Sequence, residues 1–177
     1  MSVIRAEDIR TPRLDLVPLR VEHAEEMAGV LSDPGLHAFI GGAPDTLEQL
    51  AARYRRITAG APEPGVSWLN WVVRVRDEGR LTGTVQATVG PGTVAEVAWV
   101  VGTPWQGRGI ASEAARALVD WLGRHPMTTV VAHIHPAHLA SAAVATAAGL
   151  VPSGEVRDDG EEKWVLDVSD GPGRSGS

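Results

Sequence analysis

The chain has 177 residues, 44% of them hydrophobic and 21% charged, a length and balance that fit one folded domain and exclude a disordered chain between Leu14 and Val168. Its formal net charge of −6 lacks the basic footprint that nucleic acid or an anionic membrane surface demands, so neither is expected as a partner. With no cysteine, thiolate catalysis, disulfides and cysteine-based zinc sites are excluded, and no apolar leader or run of about 18 apolar residues marks a signal peptide or membrane span, so a cytoplasmic protein is expected.

In chain order, Arg13 to Leu19 alternates as a first strand, with Leu14, Leu16, Val17 and Leu19 as its apolar residues. Ala24, Met27, Ala28 and Leu31 at helical spacing predict a helix over 21–32, broken by Asp33-Pro34-Gly35. Thr46-Leu47-Glu48-Gln49 has the form of a capping box and predicts a helix through Ile57. Three strand-like runs follow, over 68–76, 80–89 and 93–101. Their connectors are short, and short connectors join only antiparallel neighbours. A helix over 109–123 leads to a strand over 128–135 and is the one good crossover, which allows the strands over 93–101 and 128–135 to lie parallel and side by side. A short helix over 141–148 and a closing hairpin, 151–156 with 163–168, complete the order β-α-α-β-β-β-α-β-α-β-β. This is an α+β domain with a mixed, mostly antiparallel sheet flanked by helices. It spans 1–168, and 169–177, rich in Gly, Ser and Pro, reads as a flexible tail.

The most informative stretch runs from Glu96 to Ala114. A strand ends, and a loop with Gly107 and Gly109 opens a helix. The first amides of a helix have no internal partners, and the helix dipole adds positive charge there. Glycines let the backbone approach a ligand, so the loop is suited to a pyrophosphate. Arg108 adds a charge and a multi-donor fork. A Walker loop is ruled out by the absent Gly-Lys-Ser/Thr. A dinucleotide loop is disfavoured by Ser112 in the third glycine position and by the preceding antiparallel hairpin.

Gln106-x-x-Gly109-x-Ala111 resembles the Gln/Arg-x-x-Gly-x-Gly/Ala loop of the GNAT acetyltransferase superfamily. A second block, His138-Leu139-Ala140-Ser141 followed by Ala147-Ala148-Gly149-Leu150, resembles the opening and closing of that family's next helix. The element order agrees from Leu14 to Val168. Within the superfamily, Glu96-Val97-Ala98-Trp99-Val100 and Trp68-Leu69-Asn70-Trp71-Val72 look closest to the branch that acetylates ribosomal-protein N-termini. The resemblance implies acetyl-CoA as co-substrate and an amine acceptor, with transfer by direct attack on the thioester. It implies that the backbone of Trp99, Val100 and Val101 pairs with the pantetheine arm. Gln106, Gly107, Arg108, Gly109, Ile110, Ala111 and Ser112 then form the pyrophosphate loop. His138 stands at the family's Asn position, touching the pantetheine or capping its helix. An amide near Val101 is the implied oxyanion donor.

Attack by an amine needs a base for the ammonium and tolerates an acid for the leaving thiolate. Glu96 interrupts an apolar strand and is the first choice of base, on the expectation that burial raises its pKa. His133, on the neighbouring strand, is the second. The family's usual tyrosine, seven residues after the Asn position, is Ala145 here. Ser141 is the remaining candidate acid, and the only tyrosine is Tyr54. Trp68 and Asn70 share a less apolar strand face and are candidates for the acceptor pocket. His133, His135 and His138 are better explained without a metal, so no metal is expected. Beside the enzyme stands an alternative, an acyl-CoA-binding sensor without turnover. The oligomeric expectation is a monomer or homodimer.

Overall fold

The strands form one eight-stranded sheet whose spatial order follows the chain, except that the last strand lies between the sixth and the seventh. The computed structural model describes residues 4–37 and 42–169. The strands are β1 (Ile9–Arg10), β2 (Leu14–Pro18), β3 (Ser67–Val75), β4 (Arg80–Val89), β5 (Val94–Val101), β6 (Thr129–Ile134), β7 (Val151–Val156) and β8 (Glu162–Asp167). The α-helices of the described residues are α1 (Ala24–Val30), α2 (Leu47–Thr58), α3 (Ile110–Gly123) and α4 (Leu139–Ala147). Every pairing is antiparallel except β5 with β6. That exception is the one joined through α3, because only a long crossover returns the chain in the same direction. Among the described residues, no helix is long and apolar enough to cross a membrane.

The period of two gives the sheet two faces. Leu69, Trp71, Val73, Val85 and Val97 point to one side and pack on Ala114, Leu118 and Leu122 of α3. Val72 and Leu81 point to the other and pack on Met27 of α1 and Leu50 and Tyr54 of α2. The helices therefore cover opposite faces, α3 on one and α1 with α2 on the other. The first of these cores is built around Trp71, which is fully buried. Its Nε1 donates to the Glu7 carbonyl at 2.7 Å. Its ring meets that of Trp121 edge-on, with centroids 5.3 Å apart.

The capping box holds: Thr46 Oγ1 accepts from the Gln49 amide at 3.2 Å, and Gln49 Oε1 accepts from the Thr46 amide at 2.9 Å. Other boundaries shift. The first strand is 14–18, and Ile9–Arg10 adds a short partner at its edge. Two residues carry no period, which is why the sequence hides that partner. The segment 21–32 divides into a 3-10 turn at Val21–His23 and the shorter α1. Helix α4 starts at Leu139 rather than at Ser141. The closing hairpin inserts β8 between β6 and β7, so β7 lies at the edge and is exposed along its length. Met1–Val3, residues 38–41 and the expected tail over 170–177 lie outside the described residues.

Replacing Trp71 by Ala removes the largest fully buried side chain of the core and takes from the Glu7 carbonyl its indole donor. The expected destabilisation is about 3–5 kcal/mol, read as a lower midpoint in urea denaturation.

Candidate active site

Strands β5 and β6 pair only at Val94 with Thr129, Ala95 with Val130 and Glu96 with Val131. Beyond Glu96 the two strands part. A cavity of about 680 Å³ opens on the α2 side of the sheet, with Glu96, Ala98 and Val100 of β5 and His133 of β6 in its wall. Leu50, Arg53, Tyr54 and Ile57 of α2 form another wall, and His138 and Ser141 close the α4 side. Asn70, Thr84 and Gln86 add a neutral polar floor on β3 and β4.

The parting also decides which backbone groups are available. In an antiparallel pair, the amide and carbonyl of alternate residues face the partner strand. The Gly102 amide donates to the Thr82 carbonyl at 2.8 Å, and Thr84 opposes Val100. The even-numbered residues of β5 therefore bond to β4. The backbones of Val97, Trp99 and Val101 face the gap. Of the three residues expected to pair with an extended ligand, Trp99 and Val101 present their backbone to the gap, and Val100 turns its backbone to β4. The Val101 carbonyl is met by Gln106 Nε2 at 3.0 Å, so Gln106 fastens the glycine loop to the strand end.

That loop lies past the end of β5, outside the cavity wall. Gly107 and Gly109 have φ of 77° and 78°, a left-handed conformation that side chains resist. The first helical bond of α3 runs from the Glu113 amide to the Gly109 carbonyl at 3.0 Å. The amides of residues 107–112, including those of Ile110, Ala111 and Ser112, thus precede the helix's own ladder and can serve an anion. Arg108 is less available than the sequence implied. Its guanidinium pairs with Glu78 of the β3–β4 turn, and Glu78 also accepts from Trp105 Nε1 at 3.3 Å. Arg13 braces the loop from the other side, donating to the Arg108 carbonyl at 3.0 Å and to Glu113 at 2.8 Å.

Within the cavity, Glu96 Oε1 lies 3.7 Å from His133 Nε2 and 3.9 Å from the Arg157 guanidinium. The Glu96 side chain is 50% exposed, so the burial expected of it is absent. It belongs to the row of β5 that faces the cavity, where solvent reaches it. His133 is 16% exposed and its Nδ1 is buried without a hydrogen-bond partner. His138 occupies the position before α4 and makes no side-chain cap. Burial, reinforced by His135, lowers its pKa. Ser141 Oγ lies 3.5 Å from His138 Nε2. Tyr54 is 4% exposed, its hydroxyl has no partner, and burial pushes its pKa up to about 12.

The structure thus brings Glu96, His133, His138, Ser141, Asn70, Trp99 and Val100 to one cavity. Trp68 is not in its wall, because it sits one pleat beyond Asn70, at the start of β3. Sequence reasoning missed Arg157, Asp159 and Glu161, which read only as turn residues but reach the cavity from the β7–β8 connection. Burial and the neighbouring Asp159 raise the Glu161 pKa. Among the described residues, no group of three side chains is placed to hold a metal ion.

Residues 13–151 match the family model described as Acetyltransferase (GNAT) domain. No curated protein matches the sequence. Among solved structures, a GNAT-family acetyltransferase from Bacillus anthracis superposes with a TM-score of 0.80 at 19% identity, over 92% of this chain and 99% of that one. The ribosomal L7/L12 alpha-N-protein acetyltransferase RimL, in complex with coenzyme A, gives 0.77 at 16% identity, over 91% and 98%. AAC(6')-Ib, in complex with paromomycin and acetyl-CoA, gives 0.73 at 18% identity, over 93% and 99%.

Glu113 yields a pH prediction. Burial acts to raise its pKa, but hydrogen bonds from Thr11 and Arg13, with the charge of Arg13, bring it below the ordinary 4.5. A depressed folded pKa gives stability that is present above 4.5 and is lost as pH falls through the folded value. Glu113→Gln is therefore expected to lower the melting temperature near neutrality and to flatten its fall on the acid side, as read by thermal melts across that range.

Proposed function

The chain belongs to the GNAT acetyltransferase family, and from that premise we propose that it transfers an acetyl group from acetyl-CoA to a primary amine, either a small amine or a peptide N-terminus. The single observation that carries this reading is the gap between β5 and β6. It presents unpaired strand backbone at Trp99 and Val101, leads toward the free amides of 107–112, and opens on a cavity holding Glu96 and His133. An extended pantetheine fits the first, a pyrophosphate the second and an amine the third. Solved relatives of this fold carry coenzyme A or acetyl-CoA.

The thioester supplies an activated acyl carbon. The chain's residues deliver a neutral amine to it and hold it in line. Glu96, with His133 beside it, takes a proton from the incoming ammonium, directly or through a water. The nitrogen forms its bond to the acyl carbon, the carbon–sulfur bond breaks, and the second amine proton leaves for the thiolate. Ser141 is the nearest candidate to pass that proton. Tyr54 does not replace the absent tyrosine in this role, because its hydroxyl is covered and its pKa of about 12 holds the proton. In the cavity wall the carboxylates of Glu96, Asp159 and Glu161 outnumber the guanidiniums of Arg53 and Arg157, and Arg53 is already paired with Asp45, which favours an acceptor arriving as a cation. The ribosomal-protein resemblance and the aminoglycoside enzyme stand at similar identities, 16% and 18%. The acceptor class therefore rests on cavity chemistry.

Calorimetric titration with acetyl-CoA tests the reading, with NADH as the control. One-to-one binding of acetyl-CoA alone is expected. Gly109→Val is expected to abolish that binding in a folded protein, because the left-handed backbone is strained by a side chain and the added bulk obstructs the loop. Tight binding by the folded variant would put the pyrophosphate elsewhere.

Glu96→Gln is expected to lower turnover about 100-fold with little change in acetyl-CoA affinity. Thiol release measures this without background, since the protein has no cysteine. Unchanged turnover would sink the base assignment. Binding of acetyl-CoA without thiol release for any amine would support the sensor instead.

A further inference from the structure

A β-bulge in β4 sits beside the end of β5. Val73 pairs with Gly83 and Arg74 with Leu81, so Thr82 is an extra residue in the ladder. Thr82 is fully buried, and its hydroxyl turns back to the Val73 carbonyl at 3.1 Å. Its own carbonyl receives the Gly102 amide. The bulge is therefore held on both sides, and it fixes the last residues of β5 against β4.

Gly83 follows the bulge, opposite Val101. A methyl group there would lie 2.2 Å from the Val100 carbonyl oxygen and 3.0 Å from Val101 Cα. Gly83 is not among the glycines with a left-handed backbone, so its conformation does not demand glycine. The demand comes from the Val100 carbonyl, which occupies the space of a side chain. A trans peptide points its N–H opposite to its C=O. With the Val100 carbonyl driven against Gly83, the Val101 N–H points away from β4 and into the gap toward β6. The Val101 carbonyl, in the next peptide, is held separately by Gln106, so the peptides on both sides of Val101 are anchored.

We infer that Gly83 is a positioning residue, which lets the Val100 carbonyl seat on β4 and so aims the Val101 amide at the thioester carbonyl oxygen in the gap. Donation from that amide stabilises the oxygen as it gains negative charge during attack. The inference rests on the proposed acetyl transfer.

The test is isotope-edited infrared spectroscopy of acetyl-CoA carrying a 13C carbonyl, bound to the wild type and to Gly83→Ala, with steady-state kinetics on both. In the wild type the carbonyl stretch is expected at lower frequency than in free acetyl-CoA. In a folded Gly83→Ala protein the stretch is expected to return to the free value. The turnover number should fall about 100-fold, as for loss of one oxyanion donor, and KM for acetyl-CoA should change far less. A variant that keeps the shifted stretch and its turnover overturns the assignment. So does a wild type that binds acetyl-CoA with an unshifted carbonyl, whereas absence of binding overturns the proposed function itself. If Gly83→Ala does not fold, 15N-valine labelling of the wild type decides. The Val101 amide must shift with acetyl-CoA and not with desulfo-CoA, and a Val101 amide indifferent to the acetyl group overturns the inference.

Discussion

Strands β5 and β6 share three residue pairs and then separate, and most of the site depends on that separation. Buried backbone polar groups must find partners. Where β5 leaves β6, the groups of Trp99 and Val101 have no strand to satisfy them. One, the Val101 carbonyl, is taken by Gln106. The rest face a gap long enough for an extended ligand. The same separation opens the sheet beneath α2, so the cavity and the gap are two consequences of one break in pairing.

The surroundings brace that break from several directions. Helix α3 leaves the end of β5 and returns the chain to β6, and its buried Ile110 and Ala114 lock the start of the helix into the core. Arg13, held by Glu113, and Glu78, which holds Arg108 and Trp105, tie the glycine loop to the opposite half of the sheet. These ion pairs are partly exposed, so each adds only modestly to stability, and their larger effect is to fix the geometry of the loop. On the acceptor side, Glu96 is shared between His133 and Arg157 at 3.7 and 3.9 Å. Its carboxylate is loosely held and reachable by solvent, an arrangement suited to proton exchange.

The Arg108–Glu78 pair changes how the loop meets an anion. Sequence alone credits Arg108 with a full charge for a pyrophosphate. In the fold that charge is already opposed by Glu78, so under the proposed function the amides of 107–112 are the groups left to meet the pyrophosphate. Glycine at 107 and 109 suits the left-handed backbone that the loop adopts at both positions.

The sequence by itself determined the order of elements apart from the short β1, the antiparallel middle, the crossover through α3 and the glycine loop, because each follows from local periodicity or from chain-length limits on connections. It also marked Glu96, His133, His138 and Ser141, since polar residues inside apolar runs stand out. It could not show that Glu96 is half exposed, that Arg108 is paired across the sheet, or that Arg157, Asp159 and Glu161 reach the cavity. Nor could it tell Trp68 from Asn70, two residues on one strand face of which one lines the cavity. Each of these depends on contacts between segments far apart in the chain, such as Glu78 with Arg108 or Glu96 with Arg157. Even the direction of the Val101 amide depends on the space left by Gly83 on another strand. Local pattern specifies which residues can form an element, and only the packed sheet specifies what each of them faces.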